Sequence, residues 1–435
     1  MEKNRTKPPS PVSPPQLVVD VFDEPFGKLG YVVIDRPVQG IASGGVRFAP
    51  DVSVDELAGL ARSMTYKWAF LNVPLGGAKS GIFADPSQLG CDRATLMEAF
   101  GRSIAPLVRQ HVYYPGVDLG TTLDDLRAIM RGVGQPLPEK QIDGSFCTAL
   151  TVFEAIRQTI KFNGLKLANL RVAVEGFGKV ASTVIKLLAE SGAKIVAVST
   201  LEGAIAAESG LDMPRLLTLK QQHGDALIHH YQGVNPIPLN ELFTQRVDLL
   251  VPGARPHVIR ADNATLVQAR FIVPISNVPM TPEAEQMLID RGIVVMPDFV
   301  ANCGGILASS MLSNSFDEND ARYLVEGVLS RVVEGILQRA SQLGRPVSEI
   351  ARGLAWRNHC ELDQPATTAP SKVSRIAHLL AGQGWDGTKR RLAWRIYRRW
   401  PRLDSKIRRV AVDRYAELTL GNTLNSIATS EGEKQ

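Results

Sequence analysis

Asn169-Leu-Arg-Val-Ala-Val-Glu175-Gly176-Phe-Gly178-Lys-Val-Ala181 is the stretch that decides the fold. A short β-rich run leads directly into two glycines and an alanine. The chain then reads as a helix ending near Ser191-Gly192, and Lys194-Ile-Val-Ala-Val198 follows as a second strand. In a βαβ setting the first glycine makes the turn, the second admits a pyrophosphate, and the alanine lets helix and strand pack closely. Taken alone, the same motif would also suit a plain strand-turn-helix.

Downstream, Val247-Asp-Leu-Leu-Val251, Phe271-Ile-Val273 and Ile293-Val-Val-Met296 read as further strands of a parallel sheet. Each is followed by a polar or Gly/Pro loop, where an open α/β sheet holds its ligands. Upstream lies another α/β segment, with strands such as Tyr31-Val-Val-Ile34 and a helix from about 54 to 71. Ser53 and Glu56 stand at capping-box spacing, and Leu57, Leu60, Ala61, Met64 and Trp68 form the helix's apolar stripe. The fold class expected is α/β: an N-terminal α/β substrate domain plus a Rossmann-type, doubly wound dinucleotide-binding domain. The expected boundaries are a disordered tail at 1–16, the substrate and assembly domain at 17–150 and the Rossmann domain at 151–320. Helices at 321–360 return to the first domain, and a basic extension occupies 361–435.

Two lysines carry the chemistry. Lys67 lies on the flank of the apolar stripe, and the helix pattern alone favours an amine that snorkels to water. Lys79 stands in Pro74-Leu-Gly-Gly-Ala-Lys79-Ser-Gly, which also reads as a glycine-rich loop. Flanked by glycines and apolar residues, its amine can be enclosed with a ligand and desolvated, which lowers a lysine pKa and makes a usable acid or base. Asp118 alone would read as a loop carboxylate capping Thr121 or Thr122.

Composition narrows the class. The 44% hydrophobic and 21% charged content is that of a globular chain, and no apolar stretch is long enough to span a bilayer. The N-terminus has no apolar signal core, so a cytoplasmic protein is expected. Cys91, Cys147, Cys303 and Cys360 form no CxxC pair, and the close histidines His229-His230 lack a carboxylate or cysteine at ligand spacing, so no metal site is expected. The net charge of +5 is concentrated at the end: from residue 364 onward there are 14 Lys/Arg against 6 Asp/Glu. Nucleic-acid binding is therefore not expected of the chain as a whole, though the tail leaves it open.

Taken together, the motifs resemble the Glu/Leu/Phe/Val amino-acid dehydrogenases over roughly residues 30–355. The resemblance rests on Gly44-Gly45-Val46-Arg47, Met64-Thr-Tyr-Lys67, Val73-Pro-Leu-Gly-Gly-Ala-Lys79-Ser-Gly-Ile-Phe-Ala-Asp85-Pro86, Val117-Asp118-Leu-Gly-Thr-Thr122, the Rossmann glycines, Pro279-Met-Thr-Pro282 and Pro297-Asp-Phe-Val-Ala-Asn302-Cys-Gly304-Gly305, in family order. It implies reversible, NAD- or NADP-dependent oxidative deamination of an L-amino acid to a 2-oxo acid and ammonia, in a homo-oligomer of hexamer or octamer type, at a cleft between the domains. Lys67 and Gly45 would belong to the substrate site, with Lys67 on the α-carboxylate. Lys79 would act on the attacking water, and Asp118 would exchange protons with the amine. Thr148, Asn277 and Asn302 match residues near the nicotinamide, while Gly176, Gly178, Ala181 and Thr200 belong to the nucleotide site. As turn residues, both asparagines also have a purely structural reading.

Several departures matter. Ser43 stands where glutamate-specific members carry a lysine for the distal carboxylate, which argues for a non-glutamate substrate, whereas Ser309 matches a serine of the glutamate enzymes. Thr200 replaces the acid typical of NAD-selective members, so that NADP is not repelled, although Glu202 stands nearby to take the acid's role. Thr151, Pro252-Gly-Ala-Arg255 and Pro274-Ile-Ser-Asn277 also differ from common family forms. They raise the alternative of a catalytically weakened relative that senses a nucleotide or amino acid. The extension, with Trp394, Tyr397 and Trp400 among its arginines, reads either as a solvated helical appendage or as a module for acidic proteins, membrane headgroups or RNA.

Overall fold

A computed structural model describes residues 7–10, 13–85, 89, 92–135, 137, 144–310, 318–364, 417–421, 423 and 427. The chain divides into two compact units, one formed by Met1–Gln141 and Ala355–Pro401, the other by Ile142–Leu354 and Arg402–Gln435. Pro86, Cys91 and the basic stretch holding Trp394, Tyr397 and Trp400 lie outside the described residues.

The first unit is built on a five-stranded mixed sheet of order β1-β2-β4-β3-β5: β1 (Leu17–Asp23), β2 (Gly27–Arg36), β3 (Ala42–Phe48), β4 (Gly76–Ile82) and β5 (Tyr113–Val117). β2 runs antiparallel to β1 and β4, whereas β3 is parallel to β4 and β5. Its helices are α1 (Val54–Phe70), α2 (Arg93–Arg109) and α3 (Leu123–Val133). Val32, Ile34, Val46, Phe48, Ala78 and Ile82 pack from one face of the sheet into a core with residues of α2 and α3. On the other face Val33 meets Val52 and the α1 residues Leu57 and Ala61. Because both faces are covered, these strands are largely apolar throughout, without a solvent-facing polar side.

The glycine-rich run around Lys79 is the middle strand of this sheet rather than a loop. At Gly77 a Cβ would lie 2.1 Å from the Ala61 carbonyl oxygen and 2.2 Å from the Thr65 nitrogen, so glycine is what lets α1 lie directly on β4. The capping box at the start of α1 is only half formed. Ser53 accepts the Glu56 N–H at 3.3 Å, but the Glu56 carboxylate turns to Arg47.

The second unit opens with α4 (Gly144–Phe162), followed by β6 (Arg171–Glu175), α5 (Lys179–Glu190), β7 (Lys194–Thr200), β8 (Gly203–Ala206), α6 (Met213–His223), β9 (Pro236–Ile237), β10 (Val247–Pro252), β11 (Ala269–Ile272), α7 (Pro282–Asp290) and β12 (Val294–Val295). These strands form a seven-stranded sheet of order β12-β11-β10-β6-β7-β8-β9. From β12 to β7 all pairs are parallel, as the sequence pattern predicts. The short antiparallel strands β8 and β9 extend the sheet at one edge, where Pro236 withholds a donor from any further pairing. Strand order reverses between β6 and β10, which places the ligand crevice above their carboxyl ends.

Helices α8 (Gly304–Ser310), α9 (Glu318–Leu324) and α10 (Ser330–Leu343) complete this unit by packing against α4. The sequence pattern returns the chain to the first unit near 321, but the contacts of α9 and α10 hold it in the second as far as Leu354. Re-entry comes at Ala355, within α11 (Val347–Leu362), where the Asn358 side chain donates to the Ala69 carbonyl at 3.0 Å. Among the described residues no helix is long and apolar enough to cross a membrane, and no cluster of His, Cys, Asp or Glu has a metal-holding arrangement.

Candidate active site

Lys79 points from the middle strand toward the α1 side of the sheet, as do the alternate residues Gly77 and Gly81. Only 2% of it is exposed, and its Nζ lies 2.6 Å from Asp118 Oδ1. The other carboxylate oxygen of Asp118 accepts from Arg47 Nε at 3.1 Å, and Arg47 in turn pairs with Glu56 of α1. Two buried cations and two partly buried carboxylates thus meet in one array. Burial drives the Lys79 ammonium below the ordinary lysine range, against the pull of Asp118. Asp118, which burial alone would push up, is held below the ordinary carboxylate range by Lys79 and Arg47. The result is an ionised acid beside an unusually acidic lysine, an arrangement suited to moving protons near neutral pH.

The loop carrying Asp118 is tightly determined. Its backbone N–H donates to Thr121 Oγ1 at 2.8 Å, and that hydroxyl donates to the Val46 carbonyl at 2.8 Å. The carboxylate therefore does not cap Thr121 or Thr122; Asp125 takes that part at Thr122, closing the capping box of α3. On the neighbouring strand a Cβ at Gly45 would sit 2.8 Å from the Asp118 Cβ, so only glycine admits the loop there.

Lys67 occupies the last turn of α1 and is 5% exposed, buried rather than snorkelled. The adjacent Trp68 indole donates to the Ser43 carbonyl at 3.1 Å, and the Ser43 hydroxyl donates to the Tyr114 carbonyl at 3.1 Å. Both polar groups of Ser43 are thereby tied into the sheet. Ser309 falls on α8, and its side chain lies outside the described residues.

In the second unit the residues singled out from sequence gather at the switch point. Gly176 adopts φ +89° and lies against the loop after β10, with Ala254 Cβ 3.0 Å from where its own Cβ would be. Gly178 caps α5 without a side-chain bond, and a Cβ there would meet nothing within 4 Å, so the helix terminus is open to close approach. Ala181 is buried. Asn302 donates to the Ile275 carbonyl at 2.8 Å and to Asn277 Oδ1 at 3.1 Å, bringing both predicted asparagines together, while its own Oδ1 is buried with no hydrogen-bond partner. These features fit a dinucleotide: a glycine-capped helix terminus with no side chain to keep a phosphate away, and an orphaned amide oxygen for a donor such as a carboxamide N–H.

Other predicted groups are engaged within the protein. The Thr148 hydroxyl donates to the Gly144 carbonyl at 2.7 Å, and Thr200 Oγ1 donates to the Asp225 carbonyl at 2.8 Å. Thr151, the departure on α4, accepts the Gly304 N–H at 3.1 Å and so fastens the asparagine loop to the helix. Sequence reasoning assigned no site role to Arg47 or Glu175 and read Glu56 only as a helix cap. Glu175 is 2% exposed, and its carboxylate accepts the N–H groups of Gly253 and Ala254, bridging β6 to the loop after β10. A charged residue ending an otherwise apolar strand was the available signal. Val278, next to Asn277, sits at φ +48°, a strained position for a β-branched residue, with its N–H held by Asp298 at 2.9 Å.

A Rossmann-type unit paired with a buried lysine-carboxylate site defines the class of nucleotide-dependent dehydrogenases acting on amino acids. The chain belongs to the Glu/Leu/Phe/Val dehydrogenase family. The model described as "Glutamate/Leucine/Phenylalanine/Valine dehydrogenase" matches residues 144–355, and "Glu/Leu/Phe/Val dehydrogenase, dimerisation domain" matches 27–134. The NADP-specific glutamate dehydrogenase A1 of Halobacterium salinarum is 33% identical over 287 residues, covering 62% of this chain and 68% of that one. The NADP-specific glutamate dehydrogenase of Synechocystis is 34% identical over 304 residues, covering 64% and 71%. Among solved structures, the hetero-hexameric glutamate dehydrogenase of Thermus thermophilus in its leucine-bound form superposes with TM-score 0.68 at 28% identity, covering 80% of this chain and 89% of that one. The L-tryptophan dehydrogenase of Nostoc punctiforme shares the fold at TM-score 0.57 and 24% identity, covering 80% and 97%.

Proposed function

We propose that the protein catalyses reversible NADP-dependent oxidative deamination of a neutral L-amino acid, and the observation that carries this reading is the buried Lys79–Asp118 pair at 2.6 Å. Held at the glycine turn of β6 and the Asn277–Asn302 pair, NADP would supply the hydride acceptor for the substrate Cα, and water would convert the resulting substrate imine to the 2-oxo acid and ammonia. Lys67 provides a point cation for the α-carboxylate. Lys79, in its neutral form, takes a proton from the attacking water, and its ammonium then stabilises the oxygen of the tetrahedral adduct. Asp118 holds the substrate amine and passes the proton that lets ammonia leave. Burial of these groups strengthens each electrostatic contact.

The choice of a neutral substrate follows from Ser43. With its hydroxyl donated to Tyr114 and its carbonyl bonded to Trp68, it offers a distal carboxylate neither charge nor proton. The choice of NADP follows from Thr200, which brings no negative charge to the end of β7, and from the NADP-specific relatives. Glu202, the other candidate for the ribose, is paired with His229 at 3.2 Å. An oligomeric state, hexamer or octamer, accords with the dimerisation description of the N-terminal family model and with the hetero-hexameric Thermus relative. We propose that the enzyme is cytoplasmic, in keeping with the buried Cys147 and Cys303, which are in no disulfide.

A reductive amination screen tests the reading, using 2-oxoglutarate, 4-methyl-2-oxopentanoate and phenylpyruvate with ammonia and either NADH or NADPH. Turnover of an apolar 2-oxo acid with NADPH, reduced roughly 10²–10⁴-fold or more in folded Lys79→Ala, is expected. A clear preference for 2-oxoglutarate would defeat the argument from Ser43. Silence across a broadened panel, in folded protein whose melting point rises with nucleotide, would favour the sensing relative.

A further inference from the structure

We propose that Arg47, braced by Glu56, is a positioning residue that keeps Asp118 paired when Lys79 gives up its proton. The inference rests on the reading that Lys79 and Asp118 carry out the proton transfers. Asp118 divides its two oxygens between two cations, Oδ1 to Lys79 at 2.6 Å and Oδ2 to Arg47 Nε at 3.1 Å. If Lys79 were the only partner, losing its proton would strand a buried carboxylate, and the lysine would hold on to the proton. Arg47 changes that balance because a guanidinium does not deprotonate in a protein. Asp118 then has a fixed countercharge in both states of Lys79.

Arg47 is itself buried, and its own charge is met by Glu56 from α1. The charged and titratable groups around Lys79 are Asp118 from the loop after β5, Arg47 from β3, and Glu56 from α1, which also carries Lys67. From β2 its cross-strand neighbour is the apolar Val33. The Tyr113 hydroxyl of β5 is bonded to Ser80 at 2.7 Å and to the Gly44 carbonyl at 3.0 Å, in the core on the opposite face. Arg47 and Glu56 therefore act on Lys79 with opposite signs, one opposing its protonation and one favouring it.

That opposition supplies the test. The NMR shift of 13Cε-labelled Lys79 across pH, assigned by its loss in Lys79→Arg, reads its protonation without requiring turnover. In Arg47→Met the titration midpoint should rise by about one pH unit or more, and in Glu56→Gln it should fall, with the Lys79-controlled limb of the kcat profile moving in the same directions. Arg47→Lys, which keeps a cation that can itself titrate, should fall between wild type and Arg47→Met. Simple loss of packing would lower kcat in both variants without moving the midpoints in opposite directions. Unchanged midpoints in folded Arg47→Lys and Glu56→Gln would overturn the proposal. Shifted midpoints beside an unmoved kcat profile would support it and would instead remove Lys79 from the proton-transfer role.

Discussion

Ser43 donates its hydroxyl proton to the Tyr114 carbonyl, on a strand whose next residues admit the backbone of β4, at Gly44, and the loop of Asp118, at Gly45. If this position selects against a distal carboxylate, restoring a cation there should reverse the selection. Ser43→Lys should raise kcat/KM for 2-oxoglutarate relative to 4-methyl-2-oxopentanoate by on the order of 10²-fold or more, the scale of pairing a buried carboxylate. Competition assays with both oxo acids would measure the ratio, and an unchanged ratio would place substrate selection elsewhere. The enclosure of the Lys79 amine was legible because glycines flank a lysine within one short run. Arg47 stood in the same kind of motif, yet its partner Asp118 lies on a distant loop, and nothing local announces that pairing.

At the scale of elements, the Gly176 turn was readable because its determinants are neighbours in sequence: a strand, a residue at φ +89°, and a helix starting at Lys179. β4 was not. Its residues Gly76-Gly77-Ala-Lys79-Ser-Gly81 have poor strand propensity, and they pair as a strand only because β2, β3 and α1 come close enough to exclude side chains. This gives a direct prediction for Gly77. Introducing valine there would set side-chain atoms against the backbone of α1, with a Cβ only 2.1 Å from the Ala61 carbonyl. Gly77→Val should lower stability by about 3 kcal/mol or more, seen as a fall in the urea midpoint. The antiparallel strands β8 and β9 went unread for a similar reason: four and two residues are too few to show a period.

For the molecule as a whole, buried ionisable groups tie folding to pH. His359, on α11, is buried with Nδ1 unbonded, and burial lowers its pKa from 6.5 against the pull of Asp363 and Asp35. Its folded pKa lies below the unfolded one, so the unfolded chain binds the proton first. The stability it supports is present above pH 6.5 and is lost as pH falls below that value toward the folded pKa. Asp118 has the same sign at lower pH, from 3.8 downward. The urea midpoint should accordingly drop between pH 7.5 and 5.5, and the drop should shrink in His359→Leu; equal drops in both proteins would exonerate the histidine. One further consequence follows from Lys79 standing on the middle strand of the first sheet, hydrogen-bonded to neighbours on both sides. Fraying at the periphery cannot disturb it, and nothing short of losing the sheet displaces it. Displacement of Lys79 and unfolding of that unit thus become a single event, so that, on the proposed role of the lysine, residual turnover after heating cannot exceed the fraction of the unit still folded.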